Sequence, residues 1–535
     1  MTIGFSLART SWQLPGVWSL LLSLAALLPQ GGCAPPASQQ LAETAKQQVA
    51  LSGDRETWDV IYAQGVKVGH GFTRRSAIRE GDEDLLRFEG GLTLFVHRSG
   101  QAMRSEIRLA SLETADGQIR GFESRAQLGP SPIVTKGRLA GDRMLVDTTT
   151  AGQTVAGEIP WTRDDRGFFA VEQSLLAKPM QPGERRTLRV LQPIFNQVST
   201  VELVARALEP TELLAGTREL LRIDTTTVMP GSAAQADTRI DTVYWTDSAG
   251  ETLKVFTPIM DQMAYRTTKE LALADTGEAP LDLNLASIVK LDRPLERPHD
   301  ARRVRYRVRL EGDDPARVFV NARAQRVTPI DDHTAELIVR AVQPDTPVGG
   351  FATDALPPAD EYRQPNSFIQ SDNRRVVAMA REAAGTQTDP WKTAVALEDF
   401  VHRKITAKNY SQAFATAAEV AESLEGDCTE HAVLLAALAR ARGIPARVAI
   451  GLVYVPDAPG APTEKGGGGF LYHMWTEVYC AGGWVGLDGT RGLGGVGPTY
   501  LKLAVSSLRD ATAYSSFLPV AQVLGRLKID VLQVE

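Results

Sequence analysis

The stretch from Cys428 to Arg442 constrains this chain more than any other, because it is apolar on nearly every side over about four helical turns. Ala432, Val433, Leu434, Leu435, Ala436, Ala437 and Leu438 follow one another without a polar break. A helix without a polar face has to be buried, so the neighbouring chain must supply a shell around it. Start and stop signals frame it: Gly426 and Asp427 precede it, with Asp427 placed to cap, and Gly443, Ile444 and Pro445 end it. Upstream, Asp389-Pro390 opens a segment with Trp391, Ala394, Leu397, Val401 and Ile405 at helical spacing. Thr416 and Glu419 form a capping-box pattern before Val420, Ala421 and Leu424. Downstream, Ala446 to Val455, Phe470 to Tyr479 and Trp484 to Asp488 read as strands. Helical patterns around a buried central helix, followed by strand patterns, set residues 367–535 apart as the last domain.

The rest of the chain reads differently. From Trp58 to about Leu291, strand-like runs are separated by turn signals at Gln64-Gly65, Asp116-Gly117, Gly141-Asp142 and Ala249-Gly250, which predicts a long antiparallel meander, a β-rich domain over 55–295. A small β module is expected over 300–343, with Val304, Tyr306, Val308 and Leu310 on one face of a strand and Arg303, Arg305, Arg307 and Arg309 on the other. That arginine row is either a solvated face or a binding face for an anion or lipid headgroup. Residues 344–366, rich in Pro, Asp and Gly, read as a linker. A length of 535 residues suits about three such units, and 43% apolar with 23% charged residues excludes wholesale disorder and a multi-span membrane protein. The net charge of -6 offers no attraction to phosphate backbones, so nucleic acid is not expected as a partner.

At the N-terminus, Arg9 precedes an apolar run from Val17 to Leu28, too short to span a bilayer comfortably and suited to an export signal over residues 1–33. Gly31, Gly32 and Cys33, followed by Ala34, Pro35 and Pro36, resemble a bacterial lipoprotein cleavage site, with Gln30 where such sites usually carry leucine. The resemblance implies a lipid on Cys33, membrane attachment at the cell envelope and a tether over 34–54; an ordinary secretory signal is the alternative. Cys428 and Cys480 are then the cysteines of the mature body, too few for a disulfide framework.

The chemistry-bearing residues follow in a restrictive order. Cys428 opens the buried helix, where unpaired N–H groups and the helix dipole favour thiolate and can hold an oxyanion. His473 lies on a later strand, on one face with Trp475, Glu477 and Tyr479, and Asp488 closes the next strand, after the Gly482-Gly483 turn. If those strands pair, Asp488 reaches His473 and orients it. Singly, each residue is better read as structural; together they form a candidate Cys428, His473, Asp488 triad. Asn409, Gln412 and Trp475 are candidate side-chain oxyanion donors. Cys428 and His431, one turn apart, lack the further ligands a zinc site needs, and no metal or cofactor is expected. The glycines from 466 to 469 lack the order of a phosphate loop and are expected to form a mobile rim before the His473 strand.

Gly426 to His431, Arg440 to Arg447, His473 to Tyr479 and Trp484 to Thr490 together resemble the transglutaminase-like superfamily, in the right order and over roughly the last third of the chain. The resemblance implies a papain-like α+β core with Cys428 as nucleophile, His473 as general acid/base and Asp488 as its orienting carboxylate. Asp488-Gly489-Thr490 departs from the family's usual Asp, Pro, Thr. The expected activity is cleavage of peptide or isopeptide amides through an acyl-enzyme, with a protein or peptide as substrate. The alternatives are acyl transfer from protein glutamine to an amine, and a silent binding or scaffold protein.

Overall fold

The computed structural model describes residues 54–535 except 232–236, 259–260, 278, 284–287, 292, 348, 350, 352–357, 412–413, 457–467, 510–515 and 524. The expected export signal, Cys33 and nearly all of the tether lie outside the described residues, as do Gln412 and Gly466-Gly467. Among the described residues no helix is long and apolar enough to cross a membrane.

Strands alternating buried and exposed side chains build a 15-stranded sheet between Arg55 and Thr267. Eight strands meander from Arg55–Ala63 to Gln153–Pro160; the chain then returns from Asp165–Arg166 to Gln262–Thr267, and this last strand pairs with the first, Val60 opposite Tyr265. Neighbours are antiparallel except Asp165–Arg166, which runs parallel to Arg185–Gln192. The turns sit where Gln64-Gly65, Gly117, Gly141 and Gly250 mark them, each with positive φ. One helix, Ala170–Ala177, lies among these strands, with Phe168 and Phe169 buried just before it.

Arg303–Leu310, Gln325–Asp331 and Thr334–Arg340 form the second sheet, with Val304, Tyr306 and Val308 fully buried, and the chain's last strand, Leu527–Val534, completes it. Tyr306 stands opposite Leu337 on one side and Val531 on the other. The arginine row faces acidic residues on the flanking strands: Arg305 pairs with Glu336 at 2.7 Å, Arg309 with Asp530 at 2.7 Å and Arg303 with Glu535 at 3.7 Å.

In the C-terminal α+β domain, every residue of the Cys428–Ala441 helix except Ala441 is buried. Helices Arg374–Ala384, Pro390–Lys404 and Ala417–Ser423 surround it, and its remaining contacts are strands Gly469–Cys480 and Ala446–Val455. Asp389 caps the second of these helices at 2.8 Å, and Thr416 with Glu419 closes a capping box on the third. The sheet is five-stranded, with Gly469–Cys480 flanked along its length by Ala446–Val455, and Tyr500–Ser506 beyond that. On its other edge, Val289–Lys290 pairs only with Gly469 and Phe470, and Gly483–Leu487 pairs only from Thr476 to Cys480. Among the described residues, none pairs with 471–475 on that edge.

Ile529, 2% exposed, anchors the final strand in the second sheet. Ile529→Ala is expected to lower the unfolding free energy by about 2 to 5 kcal/mol. Gln533→Ala, on the exposed end of the same strand, should stay within about 0.5 kcal/mol. Urea unfolding of the two variants checks this, and equal midpoints would show that the strand contributes nothing to the core.

Candidate active site

The site begins with the turn into the buried helix. Gly426 has φ +150°, and a Cβ there would lie 2.3 Å from Cβ of Glu430, so glycine is required. Asp427 caps the helix: Oδ1 accepts from the Thr429 backbone N–H at 2.8 Å and the Thr429 hydroxyl at 2.9 Å, while Glu430 Oε2 accepts the Asp427 N–H at 2.9 Å. This reciprocal box places Cys428 in the first turn.

Cys428 is 9% exposed. Burial pushes the thiol well above its usual range and the Asp427 carboxylate pushes it further, against the opposing pull of Arg98 and the Met474 N–H. Burial thus works against the helix-start advantage expected from the sequence.

His473 and Asp488 meet as the strand pairing requires, with Nε2 of His473 2.8 Å from Oδ2 of Asp488, and both are buried. An ionised carboxylate can only accept, so Nε2 carries the proton and Nδ1 is left as the acceptor. Asp488 Oδ2 also accepts from the Tyr500 hydroxyl at 2.6 Å, and Oδ1 accepts the Thr490 N–H at 2.9 Å. Burial pushes the Asp488 carboxyl up, but His473 and these hydrogen bonds prevail and hold it well below the usual carboxylate range. The His473 ring stacks on Trp475, centroids 6.5 Å apart, and meets Tyr500 edge-on at 5.9 Å. Further along the strand, buried Glu477 is held by Arg447 at 2.8 Å and by an ion pair with Lys502.

Two supports of Asp488 escaped the sequence reading. Tyr500 opens the strand that follows the triad motif, a strand announced by Gly494, Gly495, Gly497 and Pro498 but not taken up in the sequence reading. Glu398, 1% exposed, accepts the Asp488 N–H at 2.8 Å and the Gly494 N–H at 2.8 Å. It did leave a signal, because it stands four residues after Ala394 and three before Val401, an acid on an apolar stripe.

The candidate oxyanion donors fare unequally. Asn409 turns its amide toward Glu425 at 3.3 Å, and the Trp475 indole N–H is buried beside Gly486 without a hydrogen-bond partner. His431 bonds through Nδ1 to the Asp427 carbonyl, and burial with the nearby Lys408 ammonium pushes its pKa down to about 4. Among the described residues no three His, Cys, Asp or Glu side chains cluster as metal ligands.

Residues 377–489 match the family model of the transglutaminase-like superfamily, a span that contains Cys428, His473 and Asp488. The chain thus carries a transglutaminase-like domain. Among solved structures, a proposed cysteine protease from Cytophaga hutchinsonii is similar at 17% identity and TM-score 0.27, over 44% of this chain and 89% of that one. A β-barrel-like protein of a domain of unknown function from Brucella abortus is similar at 9% identity and TM-score 0.28, over 40% of this chain and 94% of that one. A proposed protease from Parabacteroides distasonis is similar at 10% identity and TM-score 0.17, over 57% of this chain and 68% of that one. No curated protein matches the chain.

Burial raises the Glu398 carboxyl from 4.5 to about 7. A group whose folded pKa is raised contributes stability below its unfolded pKa and loses it as pH climbs through the folded one. Relative to Glu398→Gln, the wild-type chain should therefore lose up to about 3 kcal/mol of stability between about pH 4.5 and about pH 7. Parallel pH-dependent denaturation curves for the two proteins would overturn this assignment.

Proposed function

We propose that this protein is a cysteine-dependent amide-bond enzyme with a papain-like core, in which Cys428 attacks, His473 carries the proton and Asp488 holds the imidazole. The observation that carries this reading is the pinning of Nε2 of buried His473 by Asp488, on the strand that packs against the helix opened by Cys428. Nδ1 of His473 takes the thiol proton as sulfur bonds to the carbonyl carbon, and the oxyanion forms at the N-terminus of the Cys428–Ala441 helix. Collapse of that adduct breaks the C–N bond, and His473 returns the proton to the leaving amine. Water then cleaves the thioester and restores the thiol. Asp488, kept ionised, fixes the ring through both transfers.

Hydrolysis of peptide or isopeptide amides is the favoured outcome, since transfer to an amine needs a site that excludes water from the thioester. The substrate is then a protein or peptide, and the export signal with Cys33 places the enzyme at the cell envelope, anchored by a lipid. One observation favours the silent-scaffold reading: Cys428, His473 and Asp488 are all buried at rest.

Incubation with amide peptides and a labelled primary amine, followed by product mass, is expected to give the carboxylate. It should be lost at least about 1000-fold in Cys428→Ala and reduced about 100-fold or more in Asp488→Asn. Predominant amine incorporation would make the activity acyl transfer, and neither product over a broad panel would favour the scaffold. Cys33→Ser is expected to release the protein from membranes, and a mature N-terminus at another, unmodified residue would sink lipidation.

A further inference from the structure

We infer that Arg98, supplied by the N-terminal sheet, is a positioning residue for Cys428, so that the transglutaminase-like domain has a complete site only with that sheet docked on it. The inference rests on Cys428 being the nucleophile.

Arg98 ends the Glu83–Arg98 strand, and its guanidinium forms an ion pair with Asp427, the cap residue immediately before Cys428. Both side chains are buried, 7% and 3% exposed. Two desolvated charges hold together only when each neutralises the other, and removal of one partner leaves the other as an uncompensated charge. Here that remaining charge would be a carboxylate beside the sulfur.

The charged and titratable groups that act on the thiol are Asp427 before its helix, Glu430 on it, Arg98 from the hairpin, Tyr472 from the His473 strand and Tyr410 from the preceding loop, and in the proposed mechanism the His473 imidazole, neutral at rest, faces it as well. Arg98 is the cation in this set, and its guanidinium lies 5.9 Å from the centroid of the Tyr410 ring. Glu430 is pushed up to about 8 by burial and by Asp427, so it is mostly neutral near pH 7. The balance at Cys428 therefore turns on the Arg98 and Asp427 pair.

The hairpin that delivers Arg98 is fixed on both sides. Its turn donates the Ser99 and Gly100 N–H groups to Asp282 at 3.3 and 2.7 Å. Gln101 accepts the Tyr410 N–H at 2.7 Å and donates to the Lys408 carbonyl at 3.2 Å. Two strands away, the Ser131 hydroxyl bonds Glu419. Gly129 packs so closely that a Cβ there would lie 1.8 Å from the Phe414 carbonyl oxygen. These contacts reach the loop and helix that lead into the Cys428 turn, and none of the sheet residues falls within the matched span 377–489.

The test is the pH profile of iodoacetamide alkylation at Cys428 in the full chain, mapped by mass spectrometry, with Cys480 as internal reference. Arg98→Met is expected to slow Cys428 labelling about tenfold or more at neutral pH and move its midpoint up by about one unit or more. The Cys480 profile should not change. Arg98→Lys should fall between, and Arg98→Met with Asp427→Asn should recover the wild-type profile, because Asn still caps the helix without a charge. A wild-type profile in Arg98→Met, or faster labelling as from simple uncovering, would overturn the inference. So would failure of the double variant to recover, including where Arg98→Met disturbs Cys480. Wild-type Cys428 that resists labelling at every pH would instead overturn the proposed function, and this inference with it.

Discussion

Asp427 is where the demands of this structure converge. Its side chain ends the exposed N–H groups of a helix that has no polar face, its backbone N–H is taken by Glu430, and its carbonyl is taken by His431. Gly426 exists in its strained conformation to let Glu430 reach back. Because a fully buried helix cannot solvate its own terminus, these polar contacts have to be made internally. They also set the height at which Cys428 meets the sheet. The charge that remains on Asp427 is matched from outside the domain, by Arg98.

The His473 strand is held by a different logic. One end carries Glu477 between Arg447 and Lys502, and the other carries His473 between Asp488, Trp475 and Tyr500. Rings and paired charges resist rotation about the strand axis, so the imidazole is constrained before any ligand arrives. Asp488 is in turn suspended from Glu398 and Tyr500, which makes its position a property of three separate elements.

What could be read from the sequence was the local part of this arrangement. The turn glycines, the caps at Asp389, Thr416 and Asp427, the apolar helix and the alternating strands each depend on residues within a few positions of one another, and each is present. The family motifs also carried His473 and Asp488 to adjoining strands. Contacts between distant segments were not legible. Arg98 sits in an ordinary hairpin turn more than 300 residues before Asp427. The helix dipole at Cys428 is visible in sequence, whereas the depth of burial that opposes it is not. Glu398 and the Tyr500 strand, which follows Gly494, Gly495, Gly497 and Pro498, were readable and missed.

The second sheet has a topological consequence. Its strand Arg303–Leu310 lies between Thr334–Arg340, close in sequence, and Leu527–Val534, more than 200 residues later. The whole transglutaminase-like span is thus an insertion between two strands of one small sheet, and both of its ends are clamped at the same place. Pairing across so long a loop raises contact order and delays closure until residues 527–534 are available. Once closed, fraying at either end is opposed by the other, so the insertion is expected to melt as one unit with its clasp.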